Sequence, residues 1–176
     1  MRRTASLTAG AALVLLAACQ PSTKPQPLTA ADSTALTKLA ADWAAAWNKG
    51  SVDGVVSLYT SDAVRQLSDT VALKGVNAIR TNLNSAMGTP MRPTLAIEPT
   101  TWLGRQDLAV GAGTFTFTPP APPAPAKGAA PAPPAPMAGK WLNAVVKQPD
   151  GSWKIAFDAV TFDAPRPVPA TAKRGS

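Results

Sequence analysis

Few residues in this chain are equipped for chemistry. Its 176 residues include no histidine and one cysteine, which excludes histidine-based acid–base catalysis, His-containing metal sites and an internal disulfide. Carboxylates and a tyrosine remain. Asp158 stands mid-strand between Phe157 and Ala159, and a carboxylate turned into an apolar enclosure would serve as a general base there. Tyr59, the sole tyrosine, would donate a hydrogen bond to a developing oxyanion. A competing arrangement turns Asp158 and Lys154 outward with Ile155 and Phe157 pointing in, and one residue of register exchanges the two. Trp47, Tyr59 and Trp141 are the candidates to line a site for a flat apolar ligand, with core packing as the alternative role. This set implies no cofactor and no metal.

The elements that must position these groups follow from hydrophobic periodicity. Thr29 opens a helical pattern in which Leu36, Leu39, Ala40, Trp43 and Trp47 recur on one face through Asn48. Thr29 with Asp32 forms a capping-box pattern, and Gly50 is placed to end the helix. A second helix is predicted over Val52 to Tyr59. A short hairpin follows, Val64 to Leu67 and Thr70 to Leu73 around Ser68-Asp69, and then a third helix over Gly75 to Met87. Asp62-Ala63 falls where helix gives way to strand, a place for a carboxylate to satisfy free backbone donors. After Pro90 the period changes to that of strands: Thr94 to Trp102, Leu108 to Thr118, Gly139 to Gln148 and Ser152 to Asp163. Helices first and long strands later predict an α+β domain with an antiparallel sheet covered on one side by helices. Apolar residues on both faces of the last strands imply a sheet that curves around a cavity or meets a partner.

Between the second and third long strands, Pro119 to Pro136 holds only Pro and Ala apart from Lys127 and Gly128. Such a run cannot pair in a sheet, so a Pro/Ala-rich insertion is placed at 119–138. The net charge of +7 needs dissection. Arg2, Arg3, Arg166, Lys173 and Arg174 lie at the ends of the chain, and the rest is nearly neutral with its basic residues scattered singly. That distribution does not make a phosphate-tracking surface, and no nucleic-acid partner is expected.

Met1-Arg2-Arg3-Thr4 is cationic, Leu7 to Ala18 is apolar, and Leu16-Ala17-Ala18-Cys19 follows. The apolar stretch is too short to span a bilayer, which takes about 20 residues, and it has the form of an export signal. Small residues before cysteine resemble the lipobox of bacterial lipoproteins. That resemblance implies cleavage before Cys19, diacylglyceryl modification of its thiol, and a protein tethered at the cell envelope through two or more acyl chains. The alternative is a secretory signal cut at an Ala-rich site, with Cys19 an incidental thiol. The expected organisation is a signal at 1–18, lipidated Cys19 and a spacer at 19–28, a domain at 29–164 and a disordered tail at 165–176.

Three further segments carry a fold resemblance: Trp43-Ala44-Ala45-Ala46-Trp47-Asn48-Lys49-Gly50-Ser51-Val52-Asp53, Leu58-Tyr59-Thr60-Ser61-Asp62-Ala63-Val64 and Lys74-Gly75-Val76-Asn77-Ala78-Ile79. With Gly139-Lys140-Trp141-Leu142 and Asp150-Gly151-Ser152-Trp153-Lys154-Ile155 near the end, they resemble the nuclear transport factor 2-like superfamily, in its SnoaL-like and ketosteroid-isomerase-like branch. The resemblance implies a cone: a strongly curved antiparallel sheet packed by three N-terminal helices around an apolar pocket, with an outer face that often forms a homodimer. It also implies isomerase- or cyclase-like chemistry on a pocket carboxylate as one outcome. Simple binding of a small apolar molecule and a non-catalytic dimerisation module are the other two.

Overall fold

The computed structural model describes residues 26–163 except 69, 90, 123–131 and 133. The expected signal, Cys19, most of the spacer, the centre of the Pro/Ala-rich insertion and the tail lie outside the described residues. Helix α1 (Ala30–Lys49) begins at a complete capping box: the Asp32 amide donates to Thr29 Oγ1 at 3.1 Å and the Thr29 amide donates to Asp32 Oδ2 at 3.0 Å. It ends at Gly50, whose φ of 74° is the left-handed conformation that glycine adopts without a Cβ clash. Leu36, Leu39, Trp43 and Trp47 are its buried stripe. The Asn48 amide fastens the C-terminal turn of α1 to the sheet, donating to Leu95 O at 2.9 Å while Oδ1 accepts from the Leu95 amide at 2.8 Å.

Helix α2 (Val52–Val56) is shorter than its apolar spacing predicts. Ser57 and Leu58 turn the chain, so Tyr59 opens strand β1 (Tyr59–Leu67) instead of closing a helix. Asp62 accordingly lies within β1 and is exposed, not at a helix-to-strand junction. The hairpin partner is only β2 (Leu73–Lys74), paired with Val64 and Arg65. Helix α3 (Val76–Met87) buries Ile79, Leu83 and Met87. Strands β3 (Thr94–Gly104), β4 (Leu108–Thr118), β5 (Met137–Lys147) and β6 (Trp153–Phe162) form a meander, and the insertion occupies the β4–β5 connection.

One six-stranded sheet results, ordered β2-β1-β6-β5-β4-β3. Every pairing is antiparallel except β1 against β6, which run parallel. The architecture is the expected α+β one, a curved sheet with three N-terminal helices. A bulge in β6 and a set of glycines shape its inner face. The β5–β6 register runs from Ala144↔Phe157 to Val145↔Ile155, which leaves Ala156 as an extra residue in β6. Such a bulge shifts the alternation of side chains by one. Glycines on β4 and β5 also make room for rings on the residues paired with them. Gly111 opposes Trp102, Gly113 opposes Trp141, and Gly139 opposes Phe115. A Cβ on Gly111 would stand 2.2 Å from Trp102 Cζ3, and one on Gly139 would stand 2.3 Å from Phe115 Cζ. The rings therefore lie flat on the sheet.

Candidate functional site

The concave side of the sheet and the helices border a half-open cavity of about 290 Å³. Its walls are aromatic and aliphatic: Trp43 and Trp47 from α1, Trp102 and Trp141 from the sheet, and Phe115, Phe117 and Phe162 toward the insertion end. Trp43 and Trp47, four residues apart on one helix face, stack with centroids 5.8 Å apart. Trp102 and Trp141 meet at 5.7 Å, held by the glycine floor beneath them. Among the described residues two charged ones line the cavity, Arg65 and Asp158.

Both orientations weighed for β6 contribute to this arrangement. The bulge at Ala156 puts Ile155 on the cavity side and then, three residues later, Asp158, Val160 and Phe162 on the same side. Asp158 is 4% exposed, so its charge must be compensated locally. Its Oδ2 accepts from the Tyr59 hydroxyl at 2.6 Å and lies 3.0 Å from Arg65 Nε. In the orientation its neighbours favour, the Asn143 amide donates to Asp158 Oδ1 at 2.8 Å. The Tyr59 hydroxyl in turn accepts from Trp43 Nε1 at 3.0 Å. Burial, and after it the Asp158 carboxylate, push the Tyr59 phenol far above its ordinary value, so it stays neutral.

The residues singled out from the sequence are thus brought together, but not in the same capacity. Trp47, Trp141 and Asp158 line the cavity. Tyr59 stands behind Asp158: it is buried, is not part of the cavity wall, and its proton is directed at the carboxylate. Its geometry holds Asp158 in place; it does not face an oxyanion in the cavity. The sequence reading missed Arg65, Asn143 and Trp43. Arg65 carried a readable signal, because alternation along the strand expected over Val64 to Leu67 puts Arg65 on the same face as Leu67, and both line the cavity. The Arg65 guanidinium carbon also sits 5.4 Å from the Trp43 ring centroid, a cation–π contact that ties α1 to the site. Among the described residues no group of three or more His, Cys, Asp or Glu is placed to hold a metal ion.

A family model described as a SnoaL-like domain matches residues 40–141, from the middle of α1 into β5. The chain belongs to the SnoaL-like family. Its fold is that of the nuclear transport factor 2-like superfamily, as three solved structures illustrate. A ketosteroid isomerase-like protein from Erwinia carotovora atroseptica SCRI1043 is 21% identical, with 75% of this chain and 96% of that one covered and a TM-score of 0.61. An NTF-2 like protein of unknown function from Shewanella oneidensis MR-1 is 14% identical, covering 73% and 97% at a TM-score of 0.59. A domain of unknown function with a cystatin-like fold from Nostoc punctiforme PCC 73102 is 20% identical, covering 79% and 82% at 0.62. No curated protein matches the sequence. Of the polar site of this SnoaL-like domain, Trp43, Tyr59 and Arg65 fall inside the family match, whereas Asn143 and Asp158 fall beyond it.

Proposed function

We propose that this SnoaL-like domain binds a small, mostly apolar molecule in the cavity without chemically changing it. The observation that carries the proposal is the cavity itself, about 290 Å³ of space walled mostly by rings and aliphatic side chains, with Arg65, Asn82, Asn143 and Asp158 as its polar residues. Ligand sites have this composition. At about 30 Å³ per water molecule the space equals roughly ten waters, which suits a molecule of one or two rings.

A second reading is isomerase- or cyclase-like proton transfer by Asp158, favoured by the inward carboxylate beside Tyr59. Two hydrogen bonds, from Tyr59 and Asn143, and the ion pair with Arg65 already engage its two oxygens. A substrate proton would have to compete with them, which supports binding over turnover. Mass spectrometry of molecules retained by the domain purified from its native host tests both. One unmodified apolar species supports binding, a substrate–product pair supports turnover, and an empty domain removes the first reading.

The reading extends to a lipid anchor at Cys19, supported by the sequence pattern from Arg2 to Cys19. No described helix is long and apolar enough to cross a membrane. A homodimer through the outer sheet face is also part of it, supported by the exposure of Leu103, Val110 and Leu142 there; a monomer across all concentrations in sedimentation velocity would exclude the dimer.

A further inference from the structure

Among the described residues Arg65 is the least satisfied buried charged group. Its side chain is 9% exposed, and a guanidinium carries five N–H donors. The Nε contact with Asp158 at 3.0 Å is an ion pair without an aligned hydrogen bond. No hydrogen bond from its terminal nitrogens reaches any described residue, although Arg65 lines the cavity. The Trp43 ring covers one face of the guanidinium and contributes no acceptor atom in the guanidinium plane. The terminal nitrogens of Arg65 face the half-open cavity, where water meets them until a ligand displaces it. A ligand that displaces that water must return an oxygen acceptor or leave the donors unmet at a cost.

The charge balance narrows the acceptor. Arg65 and Asp158 cancel, the neighbouring Tyr59 is held neutral by burial, and the remaining polar wall residues, Asn82 and Asn143, carry no charge. A bound carboxylate would give the enclosure an uncompensated negative charge beside Asp158, and a cation would face Arg65. Either carries a desolvation penalty that a neutral oxygen avoids.

We propose that Arg65 anchors the ligand, and that the ligand is an uncharged, flat molecule whose carbonyl or ether oxygen meets the guanidinium while its body lies among the tryptophans. This rests on the reading that the cavity holds a small molecule. It goes beyond it by assigning the anchoring residue and the chemical class. It also assigns Asp158 the role of a counter-charge that excludes anions.

The test uses three probes of matched size titrated into the domain by calorimetry: 2-acetylnaphthalene, 2-isopropylnaphthalene and 2-naphthoate. For the wild-type domain the ketone is expected to bind about tenfold or more tighter than the hydrocarbon, as a charge-assisted hydrogen bond allows, with naphthoate weakest. Asp158→Asn keeps the shape and an acceptor for Tyr59 but removes the counter-charge, so naphthoate should gain at least tenfold and overtake the ketone. Arg65→Lys, which keeps the charge and loses the planar fork, should reduce the ketone's advantage over the hydrocarbon. Circular dichroism identifies any variant that does not fold, and the wild-type ranking stands as a test without it. Naphthoate binding tightest to the wild-type domain, or gaining nothing in Asp158→Asn, overturns the proposal. The hydrocarbon and ketone binding equally well overturns the anchor while leaving the cavity reading intact. Failure of all three probes to bind overturns both.

Discussion

Removing the Asp158 carboxylate should destabilise the fold more than removing its partner Arg65. In Asp158→Ala, an Arg65 side chain only 9% exposed loses its counter-ion, and the Tyr59 hydroxyl and the Asn143 amide lose their acceptor. Breaking one side of a buried pair costs about 3–5 kcal/mol. Water in the cavity can partly solvate the guanidinium and pulls the figure down, whereas the two orphaned donors, at about 1–3 kcal/mol each, push it up. The expected loss is therefore about 4 kcal/mol. Arg65→Met alone leaves the carboxylate with its Tyr59 and Asn143 donors and should cost less, about 2–3 kcal/mol on the same basis. The double variant Arg65→Met with Asp158→Asn has no stranded charge and should fall short of the sum of its single substitutions by more than about 1 kcal/mol. Urea unfolding followed by tryptophan fluorescence gives these numbers, with Asp158→Asn alone completing the cycle. Single substitutions that each cost under 1 kcal/mol and add without coupling would refute the view that this is a buried, mutually dependent pair.

Other expectations concern the frame, the wall and the anchor. Hydrogen bonding from Lys147, and then from Thr29, holds the Asp32 carboxyl well below its ordinary value. The folded form therefore has the lowered proton affinity, and the stability this contributes is present above the unfolded value near 3.8 and is lost as pH falls below it. Urea midpoints of Asp32→Asn should fall less steeply than wild type between pH 5 and 2, and equal slopes would contradict this. Gly111→Ala places a Cβ where the Trp102 ring now lies, so the ring must leave the wall; an unchanged near-ultraviolet dichroism spectrum and unchanged probe binding would show that it does not. Cys19→Ala should move the protein from the membrane pellet to the soluble fraction, and wild-type pelleting would exclude the lipid anchor.

The frame was more readable in the sequence than the site. The first helix carries both of its stop signals in local chemistry, Thr29 with Asp32 at one end and Gly50 at the other. The last two strands are marked by alternation and by the Pro149-Asp150-Gly151 turn, where the Ser152 amide and hydroxyl donate to Asp150. Local spacing failed at Tyr59, because Val55, Val56 and Tyr59 fit a helical stripe as well as they fit a helix that stops and a strand that starts. Arg65 fell inside the strand expected over Val64 to Leu67, but alternation alone does not say which face of that strand turns to the cavity. The placement of Asp158 needed the bulge at Ala156, which is a property of the pairing between β5 and β6 rather than of either strand alone. The glycine–aromatic pairs across β3, β4 and β5 likewise require the register, since no spacing within one strand announces them.

The occupancy of the cavity is the claim on which the functional account stands. Native mass spectrometry of the domain from its own host, wild type beside Ile97→Trp, tests it directly, because Ile97 is part of the cavity wall and the larger ring fills the space. A neutral small molecule carried by the wild-type domain and missing from a folded Ile97→Trp variant is the predicted result. An empty wild-type domain, or the same molecule retained equally by both proteins, would contradict the account.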